Sequence, residues 1–228
     1  HDGASGIVYC LSRKKTEAAA EFLTENGVEA LPYHAGMDKD ARNANQTAFM
    51  NEPGTVVVAT IAFGMGIDKP DVRFVFHVDL PGSPEAYYQE IGRAGRDGLA
   101  AEAHMLYGLD DIRMRRVFIE QEEAGEDRKR REHQRLDALI GYCESAACRR
   151  QALLAYFGEE IEPCGNCDIC IDPIDMTDGT AEAQKILATV SATGQRYGAV
   201  HLIDVLRGSQ NEKVTKAGHD RLPVFGSG

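Results

Sequence analysis

Apolar and polar positions repeat along this chain with two different periods, and the change of period divides it. Over the first stretch, short apolar runs, GIVYC (6–10), EALPY (29–33), TVVVA (55–59) and RFVFHV (73–78), read as buried strands, with a last strand at 103–107. Between them lie segments of helical spacing. Residues 13–26 place Ala19, Phe22 and Leu23 on one face, with Ser12 as N-cap and Gly27 as C-cap, and a second helix is expected over 40–50. Ser83, Pro84 and Glu85 start a third: a capping hydroxyl, a proline at the first helical position and a carboxylate at the positive dipole end. Strands alternating with helices predict an α/β fold with a parallel sheet.

From about residue 110 to 157 the chain is charged and helical, with a break at 124–127 that predicts a helical hairpin. A cysteine cluster follows. Beyond it, Ala183, Ile186, Leu187 and Val190 share one face of a helix over 181–192, and a shorter helix fits 199–206. The expected domains are therefore 1–110, 111–173 and 174–228, which suits a chain of 228 residues.

Composition narrows the classes. With 43% hydrophobic and 27% charged residues, and no apolar run near the roughly 20 residues that span a bilayer, no membrane role is expected. The segment HDGASGIVYC lacks a basic stretch followed by a long apolar one, so the expected compartment is a reducing cytoplasm and the six cysteines are thiols or metal ligands. The formal net charge of −11 weighs against nucleic-acid binding when taken alone, since phosphate neutralisation needs clustered cations. A motor that tracks a backbone through a local groove escapes that objection.

The densest chemical signal is YYQEIGRAGRDG (87–98). Gln89, Arg93 and Arg96 fall at i, i+4 and i+7, so a continuous helix would aim all three the same way. Glycines at 92, 95 and 98 cost about 1 kcal/mol each inside a helix, so close approach to something explains them better than a solvated basic helix does. Two guanidinium forks suit phosphate oxygens. Upstream, a strand runs into the loop TIAFGMGID (60–68), at the strand end where open α/β sheets bind ligands. Gly66 and its neighbours free amides for a phosphate, Thr60 supplies a hydroxyl and Asp68 a carboxylate; an ordinary strand-to-helix turn would share this composition.

Cys148, Cys164, Cys167 and Cys170 are spaced C-x15-C-x2-C-x2-C. Thiolates two residues apart can wrap one metal, and zinc is the expected ion. An iron–sulfur pattern would want a further cysteine at 174, where Ile174 stands. Cys143, five residues before Cys148, competes as first ligand, while Cys10 in its apolar strand reads as core. Arg149 and Arg150 are placed to offset thiolate charge.

These motifs resemble the second RecA-like lobe of superfamily 2 helicases, and specifically the RecQ family. SGIVYCLSRKKTE (5–17) is similar to motif IV, PYHAGM (32–37) to motif IVa, VATIAFGMGIDKPDVRFV (58–75) to motif V and YYQEIGRAGRDG to motif VI. CRRQALLAYFGE followed by PCGNCDIC matches the family's zinc-binding pattern with Cys148 as ligand. AQKILATV, YGAVHLIDVLRG and GHDRLPVFG look like the opening of a winged helix. A full winged helix needs another helix and a β-hairpin, neither of which is read here; a plain helical hairpin is the blander alternative.

The resemblance implies a RecA-like lobe, a helical four-cysteine zinc module and a partial winged helix from an ATP-dependent DNA helicase of 3′ to 5′ polarity in repair and recombination. It implies Arg93 and Arg96, with Gln89, at the ATP phosphates, Asp68 and Gly66 at the nucleotide, and Ser12, Arg13, His34, Gly36 and Thr60 at the DNA backbone. Ser12 also suits a plain helix cap, His34 a structural histidine and Arg13 a solvated first turn. Implied partners are structural Zn²⁺, ATP and Mg²⁺ held with a first RecA-like lobe, and single-stranded DNA and duplex junctions, for a monomeric, cytoplasmic, nucleoid-associated bacterial protein. This sequence contains no G-x-x-x-x-G-K-[ST] phosphate loop and no Asp-Glu metal box, so it supplies half an active site. An RNA helicase or remodelling ATPase of the same superfamily, and a non-catalytic DNA-binding module, are the alternative readings.

Overall fold

The computed structural model describes residues 3–64 and 67–228. They form two compact units, one ending at Pro173 and one spanning Ile174–Gly228.

The first unit is built on five strands: β1 (Gly6–Tyr9), β2 (Ala30–Tyr33), β3 (Val56–Ala59), β4 (Phe74–His77) and β5 (Glu102–Met105). Their order is β2-β3-β1-β4-β5 and every pairing is parallel. Each strand is a residue or so shorter than its apolar run. Because all run one way, their C-terminal ends share a single rim, where Cys10, His34, Thr60 and Val78 follow β1 to β4.

Pleating sends alternate residues to opposite faces. Ile7, Tyr9, Val57, Ala59 and Val75 face one side with Phe49 of helix α2 (Lys39–Asn51), while Val8, Cys10, Val56 and Val58 face the other with Ala20 of helix α1 (Arg13–Glu25). Helix α1 ends at Asn26, its C-cap, and Gly27 lies one residue beyond with φ +83. In β1, Gly6 pairs with Phe74, whose ring lies where a Cβ would be.

Helix α3 (Pro84–Ile91) begins as the sequence predicts, with Ser83 Oγ accepting from Ala86 N–H and proline at the first turn. It ends sooner than expected. Gly92 is its C-cap, and Gly95 and Gly98 adopt φ +66 and +80, a region that L side chains disfavour and that no right-handed helix contains. Arg93 and Arg96 therefore lie in the turns after α3, and the single helical face expected for Gln89, Arg93 and Arg96 does not exist.

The predicted hairpin is present as α4 (Leu109–Gln121) and α5 (Glu126–Glu144), followed by α6 (Arg149–Tyr156) and the short α7 (Asp168–Ile171). Leu136, Leu139 and Leu153 of the helical segment pack with Leu80 and Tyr87 of the sheet lobe in one buried cluster. At about 25 cal/mol per Å² of apolar surface, such burial makes the helical segment part of the lobe's own unit.

The second unit contains α8 (Thr180–Ala192), α9 (Ala199–Leu206) and, against expectation, a third short helix α10 (Glu212–Lys216), whose N-cap Asn211 Oδ1 accepts from Val214 N–H. Polarity hid it: only Val214 is buried in this five-residue helix. Gly226 and Gly228 donate to Val205 O and Leu206 O, folding the chain back onto α9. Among the described residues of this unit there is no strand.

Candidate nucleotide and nucleic-acid site and zinc centre

The strand rim gathers most of the predicted site residues. Arg96 Nη1 donates to Asp68 Oδ1 at 2.6 Å and to Ile67 O at 3.2 Å, and its Nε donates to Gly92 O. The turns after α3 thus aim Arg96 at the glycine loop by a route different from the helical one. Asp68 is 83% exposed at its side chain, so the pair is solvent-screened and weak, below about 1 kcal/mol. Arg93 lies under the same loop, with a guanidinium nitrogen 3.0 Å from where a Cβ on Gly64 would stand. Its Nε is buried without an acceptor. Tyr9 donates its phenol proton to Phe63 O at 3.1 Å. Burial pushes the Tyr9 phenol well above its ordinary range, against the pull of the Arg93 guanidinium. Gln89 is exposed on α3, Gly66 lies outside the described residues, and Thr60 follows β3 with its carbonyl accepting from Phe63 N–H.

A second group sits beside it. Ser12 Oγ caps α1 by accepting from Lys15 N–H at 3.2 Å, and Arg13 stretches its side chain across Gly36, with Cδ 2.9 Å from a Cβ built there. His34 is 3% exposed. Its Nδ1 accepts from Gly36 N–H at 3.2 Å and its Nε2 lies 3.1 Å from Glu17 Oε1, an arrangement that assigns the proton to Nε2. His34 therefore holds the loop to α1 and does not reach outward, whereas Ser12, Arg13 and Gly36 are exposed.

Sequence reasoning missed the polar residues at the end of β4 and its neighbours. Buried Asp79 accepts from Leu11 N–H at 2.9 Å and from Lys15 Nζ, fixing the start of α1. His77 meets Glu90, and Arg115 Nε donates to Leu80 O at 2.7 Å. The available signal was a histidine and an aspartate interrupting the apolar run FVFHVDL.

The four predicted cysteines converge, with all Sγ atoms within 4.8 Å of one another. Cys148 caps α6 and Cys167 caps α7, so two helix starts aim amides at the group. Cys164 N–H reaches Cys148 Sγ at 3.3 Å and Arg149 N–H reaches Cys167 Sγ at 3.4 Å. Burial disfavours the Cys148 thiolate, but the Cys164 and Gln151 amides outweigh it and pull the thiol down to about 6. At Cys170 the Gly165 amide favours the thiolate, yet neighbouring Cys167, burial, Cys148 and Cys164 together push it up to about 11. Thiolates this close cannot all form without a cation among them.

Tetrahedral zinc at about 2.3 Å from each sulfur needs sulfur separations near 3.8 Å, and Cys148 and Cys167 already stand 3.9 Å apart. The donor set fits Zn²⁺. Cys143 packs instead beside Leu136, Leu139 and Leu153, and burial pushes its thiol up to about 11. The Arg149 guanidinium does not face the sulfurs as expected. It forks onto both oxygens of Asp168 and onto the carbonyls of Tyr142, Cys143 and Ser145, tying α7 to the end of α5.

Against known proteins, residues 1–98 match the family described as the helicase conserved C-terminal domain, 109–171 match RecQ zinc-binding, and 173–228 match the RQC domain. The chain is 48% identical to the ATP-dependent DNA helicase RecQ of Haemophilus influenzae, over 99% of this chain and 36% of that protein. It is 42% identical to the protein of the same name from Bacillus subtilis (97% and 38%). A putative ATP-dependent RNA helicase, R290, of Acanthamoeba polyphaga mimivirus is 38% identical (93% and 41%). The chain thus spans 36% to 41% of the length of these relatives. The parallel lobe with its arginine turns is that of a helicase C-terminal domain. More narrowly, the chain belongs to the RecQ family, as the region that joins this domain to a RecQ zinc-binding domain and an RQC domain, with structural Zn²⁺ as its metal. Among the described residues no helix is long and apolar enough to cross a membrane.

Proposed function

We propose that this chain is the second motor lobe, zinc module and opening winged helix of an ATP-dependent DNA helicase of 3′ to 5′ polarity, acting in repair and recombination. The observation that carries the reading is the convergence of Arg93 and Arg96 on the glycine loop at the rim of a parallel sheet. Guanidinium forks there can stabilise charge on a transferred phosphoryl group, while a first RecA-like lobe holds ATP and Mg²⁺. Gly66 and Gln89 serve the nucleotide, and Asp68 serves it indirectly by holding Arg96 at the loop until a phosphate takes its place. Ser12, Arg13, Gly36 and Thr60 touch the DNA backbone, and His34 shapes that surface from beneath. Cys148, Cys164, Cys167 and Cys170 ligate the zinc.

The domains run 1–110, 111–173 and 174–228, in keeping with the three matched families, although the first two share a core. The helicase works as a monomer in the bacterial cytoplasm, associated with the nucleoid, on single strands and duplex junctions. One relative's name favours a second reading, an RNA helicase.

Unwinding by the complete helicase on matched DNA and RNA duplexes separates the two; ATP-dependent opening of DNA with a 3′ tail, and not of RNA, is expected. In the same protein Arg96→Ala is expected to cost about 10³-fold or more in DNA-stimulated ATP turnover with DNA affinity nearly intact. Lost DNA binding at an unchanged turnover rate would remove this pair of turns from the nucleotide.

A further inference from the structure

Beneath the glycine loop lies a buried polar cluster that none of the motifs accounts for. His77 ends β4 and is 1% exposed, and its Nε2 is 2.7 Å from Glu90 Oε2 on α3. Its Nδ1 is buried without a partner, so the ring proton belongs on Nε2, donated to the carboxylate. The imidazole stacks on Tyr9, with centroids 5.2 Å apart and planes at 21°, and meets Tyr87 edge-on. Tyr9 in turn holds the glycine loop through Phe63 O. Glu90 precedes Arg93 by one turn, its carbonyl accepting from Arg93 N–H at 3.4 Å. One buried ring therefore touches Glu90, a turn before the arginine, and Tyr9, which holds the loop above it.

Among the described residues no carboxylate pairs with Arg93 and its Nε has no acceptor, and its guanidinium meets the Tyr9 hydroxyl, the phenol on which the His77 ring stacks. An arginine with no acid to orient it takes its direction from whatever fixes its flanks. A buried histidine–carboxylate pair costs desolvation that an apolar residue of similar volume would not, so filling the core is a poor reason for having one here. We propose that His77, through its hydrogen bond to Glu90, is a positioning residue that fixes Arg93 under the glycine loop. His77 is too deep to touch a nucleotide. The inference rests on Arg93 being directed at phosphate.

The test is DNA-stimulated ATP turnover by the complete helicase carrying His77→Ala, His77→Gln, Arg93→Ala, or His77→Ala with Arg93→Ala, each compared by thermal melting. Misplacement of a catalytic group by about 1 Å costs on the order of 10²-fold. His77→Ala should therefore lower kcat about 10- to 100-fold while the KM for ATP stays within about two-fold. His77→Gln, whose amide nitrogen can reach Glu90, should recover most of the rate. The double variant should be no slower than Arg93→Ala, because the histidine acts through the arginine. A histidine that merely stabilised the fold would give multiplying losses and no rescue by glutamine, and either result overturns the proposal. So does wild-type kcat in His77→Ala beside a slow Arg93→Ala. If Arg93→Ala itself turns over at the wild-type rate, the phosphate-directed reading falls and takes this inference with it.

Discussion

On the proposed reading a phosphate competes with Asp68 for the Arg96 Nη1 hydrogen bond. The pair is exposed, so releasing it costs less than about 1 kcal/mol, a factor of at most about five in an equilibrium constant. Asp68 is in this sense a competitor for its own arginine. Asp68→Asn in the complete helicase is expected to tighten nucleotide binding by no more than about five-fold, measured by titration with a fluorescent nucleotide. Weakened binding would mean that Asp68 contributes to holding the nucleotide directly. His34 shows the other extreme. With both ring nitrogens committed and 3% of its surface exposed, it shapes the surface from below, and the residues with access to a ligand are its exposed neighbours Arg13 and Gly36.

At the scale of elements, hydrophobic period alone located β1 to β4 and the caps at Ser12 and Ser83, because buried parallel strands are almost wholly apolar and a capping hydroxyl has few other uses there. The end of α3 was not legible in the same way. Helical spacing places Gln89, Arg93 and Arg96 on one face only if the helix continues, but it ends at Ile91 with Gly92 as its cap, and the positive φ of Gly95 keeps it from resuming. The turns deliver both arginines to the loop regardless, so their meeting with it was legible where the secondary structure was not. Asp79 and His77 were lost inside a strand signal, since burial masks polar residues whose partners lie far along the sequence. The cysteine spacing was fully informative, because a metal imposes its own geometry on the chain. Elemental analysis is expected to find about one zinc per chain. Cys167→Ser should abolish it and expose 157–173 to protease while the sheet stays folded, since metal binding contributes directly to folding so small a segment. Cys143→Ser should change neither. Zinc lost from the Cys143 variant would place that buried thiol in the metal's shell.

At the scale of the whole molecule, the proposed phosphate arginines stand in a sequence without a G-x-x-x-x-G-K-[ST] phosphate loop. On its own the chain is expected to hydrolyse no ATP above a heat-killed control in a steady-state phosphate-release assay, and measurable turnover would mean that a nucleotide site exists within this chain. The net charge of −11 has a related meaning: the proposed DNA contact calls for local cations such as Arg13, since the surface as a whole repels a polyanion. The parallel run of all five strands then has a practical reach. Ser12, Arg13 and Thr60, proposed to meet DNA, lie at the rim where the strands end, and α1, 13 residues long, carries the backbone about 20 Å away from it at 1.5 Å per residue. Exposed Glu25, at the far end of that helix, is therefore a place where a dye, a tether or a surface linkage can be attached for single-molecule work without obstructing the track.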